Sequence, residues 1–384
     1  MNVLSLFDGM SCGRITLSEL GIPVEKYYAS EVDKFAIKAT MQNFPDTIQL
    51  GDVRELEVSR LDKIDLIIGG SPCTNLSMSG KRKGLSTKGG MEVLDLKTYL
   101  ELKENGFEFE GQSYMFWEYI RIYHELIERG DNPKFFLENV KMGKKWESVF
   151  NETIGRKGIH INSALVSAQN RRRIYWTDIY DDIPQPEDRG ILLRDILEEE
   201  VDEKYFLSDK MIECLKGRVK TDNDPICVAM RGRESACLTP RRTEYGKQIR
   251  KEYEAGIVKE QRKNIQQLEP MEDGKTNCLT TVQKDNLIIV SGTIRSFGGK
   301  HFREIKSGKS CTLLARARND GSSQPCIQIG AKIRRLTPTE CARLQTVPEW
   351  YIWDGISDTQ RYKMLGNGWN IETIKHIFKY LKKQ

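Results

Sequence analysis

The sequence predicts an α/β fold: a doubly wound parallel sheet with helices on both faces, into which a smaller β-rich unit is inserted. Short apolar runs alternate with helix-like segments, which is typical of parallel sheets. Leu66, Ile67 and Ile68 form an unbroken apolar run, as expected of a strand covered on both faces. The chain of 384 residues also exceeds one ordinary domain of about 100–200 residues, so it has room for an insert.

The alternation can be followed in order along the chain. Strands are predicted at 3–7, 26–29, around 50–53, at 65–70, at 134–137 and at 163–167, the last leading into an extended segment at 168–176. Helices are predicted at 11–20 and 113–127 from apolar residues at helical spacing. Because right-handed crossovers are the simplest connections between such strands, we expect a parallel order.

The carboxyl end supplies two further predicted helices. Thr337 is predicted to start one of them, with Glu340 in its first turn. Asn370 is predicted to cap the last helix, whose apolar residues recur on one face. We expect this last helix to pack beside the first strand.

Polar residues follow the predicted strands at the edge where parallel sheets bind ligands. Glu31, after the second strand, stands where a ribose diol is bound in this architecture, although alone it also fits a helix start. The turn at 8–13 lacks a Gly-x-Gly-x-x-Gly fingerprint and does not indicate a dinucleotide pyrophosphate. Gly9 and Gly13 would still allow a nucleoside to approach the backbone closely.

Cys73 follows the fourth predicted strand and a Gly-Gly turn. Pro72 stiffens the backbone beside it, so the thiol would be held in place. Taken alone, a free cysteine is as readily explained as a small buried hydrophobe. The basic loop at 79–84 and the polar segment 85–111 that follow are predicted to form a lid.

Charge and cysteine content limit the function classes. Residues 216–263 carry 13 Lys and Arg against 7 Asp and Glu, and residues 295–335 carry 10 against 2, so the positive charge is concentrated in the later half. Such segments can be solvated faces, but beside an acidic remainder they favour a polyanionic partner. Nine cysteines without a Cys-x-x-Cys pair do not indicate a disulfide framework or a zinc site. No signal peptide or membrane-length apolar run is apparent, which predicts a cytoplasmic protein.

With these residues in view, the chain resembles the cytosine-5 DNA methyltransferase family of bacterial and phage type. The motifs that carry the resemblance are, in order, Phe7-Asp8-Gly9, Glu31, Asp52, Ser71-Pro72-Cys73, Glu138-Asn139-Val140, Gln169-x-Arg171-x-Arg173, residues 335–345 and Gly366-Asn367. Residues 365–369 are similar to the branch of the eukaryotic de novo enzymes. The resemblance implies a Rossmann-like S-adenosylmethionine-dependent methyltransferase domain at 1–180, a target-recognition domain at 181–333, and helices at 334–384 that return to the first domain.

The resemblance implies a catalytic set of Cys73, Glu138, Arg171 and Arg173. Cys73 would be the nucleophile that adds to C6 of cytosine, since C5 alone is too weakly nucleophilic to accept a methyl group. Glu138 would engage N3 and the exocyclic amine. Arg173 would support the ring carbonyl and promote the thiolate, and Arg171 would position a phosphate or the thiol loop. Alone, the glutamate fits a cap, and the three consecutive arginines fit a surface cluster in which alternation separates Arg172 from the other two.

The implied cofactor is S-adenosyl-L-methionine, with S-adenosyl-L-homocysteine as product and no metal required. The implied cofactor-binding residues are Phe7, Asp8, Gly9, Gly13, Glu31, Asp52, Pro72 and Asn367. Phe7 is expected near adenine, Glu31 at the ribose hydroxyls and Asp52 at the adenine amine.

The implied partner is double-stranded DNA, from which the target nucleotide must swing out. The residues predicted to contact DNA are Ser77, Lys81, Arg82, Lys83, Arg231, Arg233, Arg241, Arg242, Arg295, Arg303, Arg316 and Arg318. A weak repeat around Cys237, Cys278 and Cys311 predicts short strands in which the cysteines are packing residues. A catalytically silent DNA-binding scaffold and a tRNA cytosine-5 methyltransferase remain alternatives, and a monomer is favoured.

Overall fold

The computed structural model describes residues 1–73, 75–76, 84–206, 275–279 and 332–383. It also describes the backbone of strands at 226–231, 267–270, 287–290, 293–297, 301–304 and 325–327. Among the described residues, every helix is too short or too polar to cross a lipid bilayer.

A seven-stranded sheet forms the centre of the molecule. Its strands, in chain order, are β1 (Asn2–Leu6), β2 (Lys26–Ser30), β3 (Ile48–Gln49), β4 (Leu66–Gly69), β5 (Lys134–Val140), β6 (Ile159–Asn162) and β8 (Arg172–Thr177). The short strand β7 (Gln169–Asn170) lies between β6 and β8 in the chain and is not part of this sheet. In space the order is β3-β2-β1-β4-β5-β8-β6. In this spatial order the first five strands, from β3 to β5, are parallel to one another. Strand β8 is antiparallel to both of its neighbours, β5 and β6.

The α/β class is therefore confirmed, but the fully parallel order is wrong. The connection between β6 and β8 is too short for a crossover, which needs a dozen or more residues, so the chain reverses instead. The strand predicted at 163–167 is also wrong. Ser163–Leu165 form a buried 3₁₀ turn because the Asn162 side chain accepts a hydrogen bond from the Ala164 amide and starts it.

The helices cover both faces of the sheet. They are α1 (Cys12–Glu19), α2 (Lys34–Asn43), α3 (Leu96–Glu104), α4 (Phe116–Arg129), α5 (Lys144–Ile154), α6 (Pro338–Leu344), α7 (Asp358–Asn367) and α8 (Ile371–Phe378). Both predicted caps are confirmed. Thr337 and Glu340 form a reciprocal capping box at α6, and the Asn370 side chain accepts from the Thr373 amide at α8.

Two apolar cores result, one on each face. Val3 packs in one of them with Phe136 and with Ile374 and Phe378 of α8. Its neighbour Leu4 points the other way and packs in the second core, which contains residues of α4 and α5. The last helix thus packs in the same apolar core as the first strand, with Phe378 against Phe136 of β5.

The segment 85–111 is a folded insert, and its predicted role as a flexible lid is corrected. Leu85 and Val93 are fully buried, and α3 buries Tyr99 against α4. The carboxylate of Glu118 in α4 is also fully buried, where it pairs with Lys103 at 2.5 Å and Arg121 at 2.7 Å. Burial of these groups fixes the insert to the body of the protein.

The remaining described strands all lie between residues 226 and 335. They are β9 (Ile226–Arg231), β10 (Gln267–Pro270), β11 (Thr276–Asn277), β12 (Leu287–Val290), β13 (Thr293–Phe297), β14 (His301–Glu304), β15 (Pro325–Ile327) and β16 (Lys332–Arg335). They form sheets in the orders β10-β9-β12-β16 and β14-β13-β15, while β11 pairs with β7. The domain boundaries at 181 and 333 stay predictions.

Candidate active site

Three of the four predicted catalytic residues meet at the carboxyl edge of β4 and β5. Cys73 lies in the turn after β4, and Glu138 lies within β5. Arg173 lies near the start of β8, which reaches this edge because β8 runs antiparallel to β5 and pairs Arg173 with Val140. The reversal of the chain before β8 therefore brings an arginine to a cysteine and a glutamate from distant segments.

Glu138 and Arg173 form an ion pair. Arg173 Nε lies 2.8 Å from Glu138 Oε1, and the two side chains are only 10–12% exposed. Burial alone would lower the pKa of Arg173, but electrostatic interactions with Cys278, Glu138 and Cys73 outweigh it and raise the pKa above the ordinary value. The guanidinium is thus a permanent positive charge beside the carboxylate.

The thiol of Cys73 is half-buried and acted on by both arginines. Burial raises the pKa of Cys73 above its ordinary value; the charge of Arg173 opposes this rise, and Glu138 adds to it. Arg173 thus favours the thiolate of Cys73, in the expected direction, but the effect of burial on the pKa of Cys73 is larger. Without a substrate, Cys73 is held mainly as the neutral thiol.

The backbone before Cys73 is fixed by Asn139. The Asn139 side-chain amide, fully buried, donates to Ser71 Oγ at 3.0 Å and to the Ser71 carbonyl at 3.2 Å. After the cysteine, the Asn75 amide donates to Ser113 Oγ at 3.0 Å, just before α4. The thiol loop is therefore attached at both ends to rigid elements.

The burial of Arg171 does not fit one of its two predicted roles, contact with a phosphate, while its role in positioning the thiol loop stays a prediction. Its side chain is buried, and its guanidinium donates to the carbonyl of Gly368 at 2.7 Å and of Gly366 at 3.4 Å. It therefore holds the turn after α7 and is not exposed to a phosphate. Arg172, between the two, is exposed, as the predicted alternation requires.

A glycine is needed where this turn meets the site. A Cβ on Gly70 would stand 2.8 Å from Trp369 Nε1 and 3.1 Å from Glu138 Oε2, so a side chain there would displace both. Trp369 also donates its amide to Cys12 Sγ at 3.3 Å. Burial raises the pKa of Cys12 to about 12, so this second thiol stays neutral.

One site residue was missed in the sequence. Cys278 lies on a short segment, residues 275–279, which we call the strap, and its Sγ accepts from Arg171 Nη1 at 3.0 Å and Arg173 Nη2 at 3.3 Å. The predicted packing role of Cys278 is thus corrected. Two similar motifs around Cys237 and Cys311 lie outside the described residues, and nothing in the sequence distinguishes Cys278 from them.

The turn after β1 borders the same edge. Phe7, Gly9 and Ser11 all have positive φ, near +60°. Apart from Gly9 and its two chain neighbours, no atom of the described residues lies within 4 Å of the point where a Cβ on Gly9 would stand, so the turn borders open space. The Gly9 amide donates to Glu31 Oε2 at 2.8 Å, which joins the ends of β1 and β2.

Asp8 is buried below this turn and points away from the open space. It accepts hydrogen bonds from Ser11 and, at 2.8 Å, from the Tyr27 hydroxyl. Burial raises the pKa of Asp8 to about 6, against the opposing effect of the Ser11 hydrogen bond. Gly13 has a packing role, because a Cβ there would overlap the side chain of Ile68 in β4.

The other predicted cofactor-binding residues lie around this edge. The Glu31 Oε1 atom accepts from the amides of Val32 and Asp33, each at 2.8 Å. Asp52, after β3, pairs with Arg54. Pro72 is half-buried beside Cys73, and Asn367 is exposed at the end of α7. Within the described ranges, no three His, Cys, Asp or Glu side chains are grouped as metal ligands.

Most of the predicted DNA-binding residues lie outside the described residues: Ser77, Lys81, Arg82, Lys83, Arg233, Arg241, Arg242, Arg316 and Arg318. The backbone of the other three lies in strands, with Arg231 ending β9, Arg295 in β13 and Arg303 in β14. Their contacts with DNA stay predictions.

Comparison with known proteins identifies relatives along the whole chain. A family model described as C-5 cytosine-specific DNA methylase matches residues 1–383. The chain is 25% identical over 465 residues to the orphan methyltransferase M.SPRI of Bacillus phage SPR, covering 99% of this chain and 97% of that relative. It is 28% identical over 397 residues to the type II methyltransferase M1.ScrFI of Lactococcus lactis subsp. cremoris, covering 98% and 76%.

Solved structures share the fold. The Entamoeba histolytica methyltransferase EhMeth superposes with a TM-score of 0.58 at 15% identity, covering 100% of this chain and 98% of that one. The S. pombe Dnmt2 methyltransferase gives 0.56 at 12% identity, with the same coverage. At these identities the likeness concerns the fold alone.

Proposed function

Because the chain belongs to the C-5 cytosine-specific DNA methylase family, we propose that it transfers a methyl group from S-adenosyl-L-methionine to C5 of a cytosine in duplex DNA. The observation that supports this most is the meeting of Cys73, Glu138 and Arg173 at one edge of the sheet, with the Glu138–Arg173 pair at 2.8 Å. A nucleophile, a carboxylate and a fixed cation are the groups that addition to a pyrimidine ring requires.

Cys73 acts as the nucleophile. Its thiolate forms a bond to C6 of the cytosine, and the electron pair displaced from the C5–C6 double bond makes C5 nucleophilic. After methylation, loss of the C5 proton lets the carbon–sulfur bond break and returns the Cys73 thiolate. Since burial keeps the free thiol neutral, ionisation of Cys73 is expected to accompany substrate binding.

Glu138 and Arg173 bind and polarise the ring. In its protonated form, the Glu138 carboxyl donates its proton to N3, where negative charge accumulates after thiolate addition, and its other oxygen accepts a hydrogen bond from the exocyclic amine. Arg173, held by Glu138 and Cys278, presents a permanent positive charge toward the ring carbonyl. The hydrogen bond from Asn139 to Ser71 fixes the position of the loop that carries Cys73 relative to Glu138 and Arg173.

The residues at the ends of β1 and β2 fit the cofactor. Gly9 borders open space, which allows close approach of a nucleoside. Glu31 accepts three backbone amides, so of roughly four lone-pair directions one is left for a ribose hydroxyl. The bound cofactor supplies an electrophilic methyl group and leaves as S-adenosyl-L-homocysteine.

The target base must leave the duplex to reach Cys73, since C6 lies inside the base stack. We propose that the loop with Lys81, Arg82 and Lys83 contacts the DNA backbone when this happens. The fixed insert supports this loop at both ends: Asn75 Nδ2 donates to the Glu110 carbonyl at 2.7 Å, and the Gly84 amide donates to the Asn75 carbonyl at 3.1 Å.

Methyl transfer from radiolabelled S-adenosyl-L-methionine to unmodified duplex DNA tests this function. We expect transfer by the wild type, none to fully 5-methylated duplex, and a loss of at least about a thousandfold in Cys73→Ala, because the covalent step is removed. A duplex with 5-fluorocytosine should be trapped covalently by the wild type only. Full transfer by Cys73→Ala would eliminate the mechanism, transfer to tRNA alone would change the substrate, and binding without transfer would indicate a silent scaffold.

A further inference from the structure

The strap, residues 275–279, is built into the active site. Its strand β11 pairs in parallel with β7, and the fully buried Thr276 donates its amide to the Ala168 carbonyl at 2.7 Å. Lys275 Nζ donates to the carbonyls of Ala164 at 2.7 Å and Ile191 at 2.9 Å. The strap therefore belongs to the layer that carries the arginines, although it is more than a hundred residues away in the chain.

Successive strap residues point in different directions. Leu279 joins the apolar core, whereas Cys278 directs its sulfur to the guanidinium groups of Arg171 and Arg173. A cysteine that only filled space would meet apolar atoms. Two cationic donors on one sulfur are the environment of a thiolate.

We propose that Cys278 is a positioning residue for the methyl transfer: its sulfur holds the guanidinium groups of Arg171 and Arg173 in their working geometry and joins the strap to the catalytic centre. This inference rests on the proposed function. Arg173 then has two partners, the Glu138 carboxylate at Nε and the Cys278 sulfur at Nη2, which fix its plane. Arg171 is held between Cys278 and the Gly368 carbonyl.

The charges around the two sulfurs agree with this role. Burial opposes ionisation of Cys278, but Arg171 and Arg173 outweigh it, so the pKa of Cys278 lies below its ordinary value. The pKa of Cys73 lies above its own, and Cys278 is one cause of the rise. Cys73 lies after β4 and Cys278 lies on the strap. The titratable and charged groups around these two sulfurs are Glu138 on β5 and Arg171, Arg173 and Tyr175 from the β7–β8 segment.

The proposal predicts how three substitutions differ. Cys278→Ala removes the acceptor together with the negative charge that the two arginines favour on it. Cys278→Ser keeps an acceptor that does not ionise, and Cys278→Asp keeps an acceptor that carries the charge. We expect kcat to fall at least about tenfold in Cys278→Ala because the arginines lose their geometry, with KM for DNA changed less than threefold. Cys278→Ser should be intermediate, and Cys278→Asp should recover most of the wild-type kcat.

The pH dependence of single-turnover trapping on 5-fluorocytosine DNA separates positioning from a structural role. The acid limb of the plot of trapping rate against pH reports ionisation of Cys73. In Cys278→Ala and Cys278→Ser the loss of negative charge beside Cys73 should lower the pKa of Cys73, so this limb should move to lower pH by up to about one unit. Cys278→Asp should keep the wild-type limb. The control Cys341→Ala removes a buried sulfur from α6, so it should change stability without moving the limb.

Each outcome decides the matter. Wild-type kcat and an unmoved limb in Cys278→Ala and Cys278→Ser, with an active wild type, would overturn the inference and leave the proposed function intact. Losses of kcat that parallel the losses of melting temperature in all three variants, with the acid limb of the trapping rate unmoved, would also overturn it. A wild type that neither methylates nor traps DNA would instead reject the proposed function itself.

Discussion

Arg171 and Arg172 are neighbours in the chain with opposite environments. The Arg171 guanidinium is buried and makes hydrogen bonds to Gly366, Gly368 and Cys278, whereas the Arg172 side chain is exposed. We expect Arg171→Gln to lower the free energy of unfolding by about 2–4 kcal/mol, because buried charge-assisted hydrogen bonds are lost. Urea unfolding measures the difference. Arg172→Gln is the matched control, with a change within about 0.5 kcal/mol; equal effects in the two variants would contradict the burial difference.

Asp8 makes the stability depend on pH in an unusual direction. Burial, opposed by the Ser11 hydrogen bond, raises its pKa from 3.8 in the unfolded chain to about 6 in the folded protein. Between these values the folded state binds more protons, so the stabilisation is present below pH 3.8 and is lost as the pH rises through about 6. The shift corresponds to about 3 kcal/mol.

The matching variant is Asp8→Asn, which keeps an acceptor for Tyr27 and cannot ionise. Unfolding free energies of both proteins, measured by urea titration from pH 4 to pH 7, should show the wild type losing about 2–3 kcal/mol relative to the variant. Carboxylates with a lowered pKa, such as Asp33, lose stability in the opposite direction, but they are common to both proteins and cancel. A constant difference across the range would refute the assignment to Asp8.

At the scale of elements, the insert is held to α4 by Glu118. Its carboxylate accepts from the Tyr99 hydroxyl and pairs with Lys103 and Arg121, and it is fully buried. Glu118→Gln should destabilise the protein by about 2–4 kcal/mol in thermal or urea unfolding, because two cations lose their buried partner. Glu125→Gln is the control: this glutamate contacts the same Arg121 but is 38% exposed, so its loss should cost less than about 1 kcal/mol.

Elements with local signals could be predicted from the sequence, and elements defined by distant contacts could not. Thr337 and Glu340 form a capping box within one turn, so the pattern alone predicts the start of α6. Leu85, Val93 and Tyr99 are all buried, but their spacing matches neither helical nor strand periodicity, so the insert looked like a loop. The direction of β8 depends on the shortness of the preceding connection, which apolar patterns do not report.

At the scale of the whole molecule, the site could be predicted only as far as family motifs cover it. Cys73, Glu138 and Arg173 come from motifs whose order along the chain is specific, and the structure brings them to one edge. Cys278 could not be found this way, because its motif resembles two others in the middle of the chain. Its contact with the arginines arises from the pairing of β11 with β7, a tertiary event.

Charge at the whole-molecule scale predicts strong salt dependence of DNA binding. Each phosphate neutralised contributes about 0.9 to the slope of log K against log salt concentration. Replacing Lys81, Arg82 and Lys83 by glutamine should therefore reduce the slope by up to about 2.7, as measured by fluorescence anisotropy at several salt concentrations. As control, Arg60→Gln with Lys63→Gln changes exposed charges before β4, at the opposite edge of the sheet, and should leave the slope unchanged. Equal reductions would refute a contact at the loop.

The grip of Arg171 on the turn after α7 has a consequence for biosynthesis. When a ribosome has translated Cys73, Glu138 and both arginines, it has not yet made the carbonyls of Gly366 and Gly368 that Arg171 needs. The nascent polypeptide therefore completes this centre only after residue 368 has been translated, about 200 residues after Arg171. A fragment that ends before Gly366 would therefore leave the buried Arg171 guanidinium without both of these carbonyl acceptors.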